Sequence, residues 1–96
     1  MALKTFPSDP ADHLGSPEAQ AEYLTAAQKT GDPSFIADSL GVVARAHGMS
    51  QLARDTGLRR EGLYKALSSE GNPDLATIMK VIQALGIELS AGAVPG

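Results

Sequence analysis

The sequence predicts a small all-α domain of five helices with almost no strand. Three observations carry this expectation. Helix caps and stops recur along the chain, apolar residues recur at helical spacing between them, and the connections are short. With 96 residues, the chain is long enough for one domain with a single modest core.

Residues 1–15 read as an irregular segment, because Pro7, Pro10 and Gly15 interrupt any continuous pattern. The first helix is announced by Ser16 at the N-cap, Pro17 at the first helical position and Gly31 just past the end. Ala19, Tyr23, Ala26 and Ala27 share its expected apolar face, opposite Glu22, Thr25 and Lys29. The second helix repeats the punctuation, with Asp32 as cap, Pro33 behind it and Gly48 as stop. Its stripe is Ile36, Leu40, Val43 and His47. "MSQLARDTG" is a third, short helix ended by Gly57, a residue suited to the positive φ of a tight turn. Leu58 is an apolar anchor, "RREGLYKALS" begins a fourth helix, and "SEGNP" is a loop. "DLATIMKVIQALG" is the fifth, with Leu75, Ile78, Met79, Val81, Ile82 and Leu85 on one face and Gly86 as stop. "IELS" alternates, which suits a short C-terminal edge strand or an extended tail. The expected organisation is an irregular segment at 1–15, a helical domain at 16–89 and a flexible tail at 90–96.

Composition removes several function classes. There is no cysteine for a disulfide or thiolate metal site. No apolar run is long enough for a signal peptide or a membrane span, so the expectation is a soluble cytoplasmic protein. His13 and His47 lack nearby cysteines or paired carboxylates at ligand spacing, and His47 reads as a packed or capping residue at a helix C-terminus. Ser68 and Ser69 have no activating His or Lys at motif spacing. Asp9 and Asp12 read as solvated loop acids, Gly57 and Gly62 form no phosphate loop, and Met49 and Met79 read as core filler. The expectation is a protein without catalytic residues, metal or cofactor.

The net charge of −3 conceals an uneven distribution. Residues 1–38 carry six acids against Lys4 and Lys29, and residues 69–96 carry three acids against Lys80. Residues 45–68 are basic: Arg45, Arg54, Arg59, Arg60 and Lys65 against Asp55 and Glu61. Such asymmetry speaks about partners. The acidic N-terminal half suits either a solubilising surface or a docking surface for a basic protein.

On a helical wheel, Arg60, Glu61, Tyr64, Lys65 and Ser68 fall in one continuous arc, with Gly62, Leu63, Ala66 and Leu67 in the other. The polar arc suits double-stranded DNA. Arg and Lys donate to guanine O6 and N7, Glu accepts from cytosine N4, and a Tyr hydroxyl reaches phosphate. Arg59 would point to the apolar side if helical, so it is placed at the N-cap, where it is a poor cap and a candidate phosphate contact. The order Ala53, Gly57, Leu63 marks a helix–turn–helix, whose second helix enters the major groove while the first crosses the backbone. Ser50 and Gln51 open that first helix, where free N–H groups and short polar side chains bind phosphate.

The run "GMSQLARDTGLRREGLYKALSSEGNPDLATIMKVIQALGIELS" resembles the Xre/Cro-type, lambda-repressor-like helix–turn–helix proteins, and specifically the addiction-module antidote family. "AEYLTAAQKTGDPSFIADSLGVVARAHG" resembles that family's lead-in helices, so the likeness spans about residues 20–90. The combination of "ARAHGMSQLA", "REGLYKALS" and "GNPDLATIMKVIQALG" is what carries it. The family usually has Ser where this chain has Arg59. The resemblance implies the antitoxin of a type II toxin–antitoxin pair, a homodimer that represses its own operator and neutralises a small RelE/ParE-like toxin. A stand-alone Xre/Cro-type repressor and a protein-interaction module derived from the same fold are the competing readings.

Overall fold

The computed structural model describes residues 9–95. Among them are a 3-10 turn, Pro10–His13, and five α-helices: α1 Pro17–Gln28, α2 Pro33–His47, α3 Met49–Thr56, α4 Arg60–Ala66 and α5 Leu75–Leu85. The caps explain the starts. Ser16 Oγ accepts from Ala19 N at 3.1 Å, Asp32 Oδ1 from Ser34 N at 3.0 Å, and Asp74 Oδ1 from Thr77 N at 2.8 Å. Each satisfies an N–H that the helix itself leaves unpaired. The bond from Thr77 holds the Asp74 carboxyl below the ordinary Asp value of 3.8, helped by Lys80.

α2 is the axis of the domain, packed against by the 3-10 turn and by every other helix. Its residues from Ala37 to Ala44, except the exposed Asp38, are therefore buried. The expected four-residue stripe understates this, because a helix covered on several sides buries more than one face. Ser39 tolerates burial by donating to the Phe35 carbonyl at 2.8 Å. Gly41 sits where a Cβ would collide with the Leu67 carbonyl, so its lack of a side chain sets how closely the end of α4 approaches α2. Leu52, Leu63, Val43 and Val81 are essentially inaccessible and join α2, α3, α4 and α5 in one core.

Several expected faces are corrected. In α1 the buried residues are Gln20, Leu24 and Ala27, with Ala19 and Tyr23 half-buried and Ala26 exposed. Leu24, the largest aliphatic side chain of the helix, sets the face, and Gln20 Nε2 turns inward to donate to the Leu14 carbonyl at 3.0 Å. In α5, Val81, Ile82 and Leu85 are buried, but Leu75 is 71% and Met79 40% exposed, so Met79 is not core filler. α4 ends at Ala66, which puts Ser68 outside its polar arc, with its hydroxyl donating to the Lys65 carbonyl at 2.9 Å. Gly62, expected inward, is exposed.

Part of the segment expected to be irregular is docked. Asp9 Oδ1 accepts from Ala11 N at 3.0 Å and from Arg45 at 3.1 Å, and Leu14 enters the core. Asp9 is thus more than a solvated loop acid: the Ala11 N–H, then Arg45, hold its carboxyl below the ordinary value. Pro7 and the rest of residues 1–8 lie outside the described residues. "IELS" is an extended tail rather than a strand, since no second strand among the described residues offers it a ladder partner. Among the described residues, no helix is long and apolar enough to cross a membrane.

Candidate nucleic-acid interface

α3 and α4 form a unit around one turn. Met49 and Leu52 hold α3 to the core, and the half-buried Ala53 keeps the facing surface small. At the end of α3, Thr56 Oγ1 donates to the Leu52 carbonyl at 2.7 Å and accepts from Leu58 N at 3.3 Å. Gly57 lies between them at φ 74°, and its N–H closes the helix on the Ala53 carbonyl at 2.9 Å. An L-residue with a side chain is strained in that left-handed conformation. Leu58 then packs half-buried against the core, so the chain re-enters helix at a fixed angle.

Arg59 occupies the N-cap of α4 as its sequence position predicts. Its backbone is extended, φ −78° and ψ 144°, its carbonyl accepts from Leu63 N at 2.9 Å, and its side chain caps nothing. Leu63 and Leu67 are buried beneath α4, while Arg60, Glu61, Tyr64 and Lys65 stand exposed on it. Arg59, Arg60, Glu61 and Tyr64 line one open concavity. Lys65 lies on the same short helix without lining that concavity. Among the described residues, Arg59, Arg60 and Lys65 form no ion pair; Arg45 is paired with Asp9. Among the described residues, the guanidinium groups of Arg59 and Arg60 and the ammonium of Lys65 are thus unpaired and able to meet phosphate or base edges.

The two residues expected to position the backbone differ. Ser50 is exposed in the first turn of α3, whose N-cap, Gly48, provides no side-chain acceptor for the free N–H groups. Gln51 is also exposed, but its amide is engaged at both ends. Nε2 donates to Asp55 Oδ1 at 2.8 Å, and Oε1 accepts from Arg54 Nη2 at 2.8 Å. The second Nε2 hydrogen remains available to donate to a phosphate, beside the Asp55 carboxylate. Arg54 counts in the basic segment of the sequence but is not one of the expected DNA contacts. Its spacing of three from Gln51, with Asp55 at four, is the helical signal that joins the trio. His47 ends α2 half-buried, as a packed residue, and its Nε2 is buried with no hydrogen-bond partner among the described residues.

A family model described as "probable addiction module antidote protein" matches residues 3–93. A Haemophilus influenzae relative, described as an uncharacterized protein, is 50% identical over 86 residues, covering 90% of this chain and 87% of its own length. No solved structure matches the chain.

Proposed function

The chain belongs to the addiction module antidote family, and on that premise we propose that it is a DNA-binding antitoxin and transcriptional autorepressor. Membership implies a toxin as partner. The reading assigns that toxin to the RelE/ParE-like class, the DNA to the chain's own operator and the compartment to the cytoplasm. It assigns binding, not catalysis. The observation that carries DNA binding is the presentation of α4: Leu63 and Leu67 fix it from below, and Arg59, Arg60, Glu61 and Tyr64 surround one open concavity.

Arg60, Glu61, Tyr64 and Lys65 are assigned to base edges and the adjoining groove, and Ser50, Gln51 and Arg59 to the sugar–phosphate backbone. α4 has seven residues, so one copy reaches few base pairs. A homodimer on a pseudo-palindrome, with its two α4 helices about 34–36 Å apart, supplies the contact area that one copy lacks.

The test is a titration of the promoter duplex upstream of the gene at increasing salt. Saturable binding that prefers this duplex, and weakens steeply as salt rises, supports the reading, because each neutralised phosphate releases counterions. No sequence-selective binding at any protein concentration overturns it. For the toxin, co-expression with the product of the adjoining reading frame should restore growth and give a stable complex.

A further inference from the structure

A second surface lies away from the α3–α4 unit. Two adjoining concavities share Ile36, Leu40 and Ile78 and together make a largely apolar groove between α2 and α5, bordered by the 69–73 loop on one side and by α1 and the C-terminal tail on the other. Leu24, Ile82 and Leu89 add to its apolar lining towards α1 and the tail. Along α5, the exposed Leu75 lies one turn before Ile78 and continues the same stripe outward. Leu24, Leu40 and Ile82 are the buried floor, Ile36 and Ile78 are half-buried, and Leu75 and Leu89 are exposed at the rim. An apolar concavity with exposed apolar rim residues is a candidate interaction surface.

Charge selects the occupant. The segments that build the groove, residues 16–40 and 69–90, contain Glu18, Glu22, Asp32, Asp38, Glu70, Asp74 and Glu88 against Lys29 and Lys80. Glu70 lines the groove itself; Asp32, Asp38, Asp74 and Glu88 each adjoin a lining residue in the chain, against Lys29 beside Gln28, so the balance at the groove is acidic. A second copy seated here by a two-fold axis would bring the same acidic segments together, at a repulsive cost. A basic partner meets opposite charge. With no strand among the described residues to extend, the contact suited to a channel between two helices is a helix laid in it.

We infer that this groove takes an amphipathic, lysine- and arginine-bearing helix of the toxin. Its apolar side chains enter between α2 and α5, and its cations face Glu70 and the neighbouring carboxylates. The inference rests on the antitoxin reading for the identity of the partner. No residue of α3 or α4 lines the groove, so the inferred toxin contact and the proposed DNA contact lie on different surfaces.

The experiment uses the full chain and a fluorescent amphipathic helical peptide of leucine and lysine, with a glutamate-for-lysine counterpart as control. Anisotropy measures affinity, and ¹H–¹⁵N NMR shifts locate the contact. The expected result is binding of the lysine peptide alone, with shifts confined to the groove around Ile36, Ile78 and Leu89. Ile78→Asp and Glu70→Lys should each weaken it, the first by about tenfold or more. Leu75→Asp, at a position already exposed, provides a variant that keeps the core intact. The inference is overturned by equal binding of both peptides, by binding of neither, or by shifts centred on α4. It is also overturned if sedimentation reveals self-association that Leu75→Asp abolishes, since a second copy then covers the groove. Promoter binding is measured on the same samples. Lysine-peptide binding without promoter binding supports the groove and overturns the DNA reading; promoter binding without either peptide does the reverse.

Discussion

The α3–α4 unit and the α2–α5 groove treat their side chains in opposite ways. Around α4, both leucines are buried and the surface is left to Arg59, Arg60, Glu61, Tyr64 and Lys65. Around the start of α5, Leu75 and Met79 are exposed within an acidic part of the chain. Polar side chains on a rigid apolar base suit a polyanion, whereas open apolar side chains among carboxylates suit a basic polypeptide. The contrast teaches that the net charge of −3 describes neither surface, and that the two proposed kinds of binding need not compete for one face.

The comparison is broken most completely through the core that both surfaces share. Leu63→Ala, at a residue 1% exposed, should cost about 2–5 kcal/mol of stability. Thermal unfolding followed by circular dichroism should register it as a large fall in Tm, with DNA and peptide binding both impaired. Gly41→Ala should cost about 1–3 kcal/mol in the same measurement, because its methyl group must push the Leu67 carbonyl, a backbone atom, away from α2.

One surface can then be changed alone. Arg60→Ala should weaken promoter binding by about 1–3 kcal/mol and relax the preference at one base pair, while leaving the lysine-peptide affinity unchanged. Uniform weakening on every duplex would move Arg60 to the phosphate contacts, and unchanged affinity would remove it from the interface.

The smallest expected effect concerns pH. The Asp74 carboxyl is held below 3.8 by its bond from Thr77 N–H, so its cap stabilises the folded state above the unfolded-chain value. That stabilisation is lost as pH falls through the lower folded value. Asp74→Asn should therefore slightly flatten the acid limb of the Tm–pH curve; an unchanged limb would show that the cap adds nothing charge-dependent.

Much of the fold was legible because the sequence punctuates its helices locally. Ser16–Pro17 and Asp32–Pro33 mark starts, Gly48, Gly57 and Gly86 mark stops, and all of them act within one turn of chain. Arg59 was legible for the same reason, since helical phase alone moves it off the polar arc. What stayed hidden depends on distant partners. The inward turn of Gln20 needs the Leu14 carbonyl, and the docking of Asp9 needs Arg45 from α2. The exposure of Leu75 and Met79 needs knowledge of where the elements covering α5 stop. Periodicity places Leu75, Met79 and Ile82 on one face but does not say which of them the rest of the domain reaches. That gap is why the groove was not foreseen while the polar arc was.

The most direct test of the central claim is an anisotropy titration of the upstream promoter duplex against a scrambled duplex of equal length and composition, repeated across salt concentrations. The account predicts that the promoter binds more tightly at every salt concentration, with affinity falling steeply on a logarithmic salt axis as phosphate contacts are lost. Equal affinity for the two duplexes, or binding indifferent to salt, would contradict it.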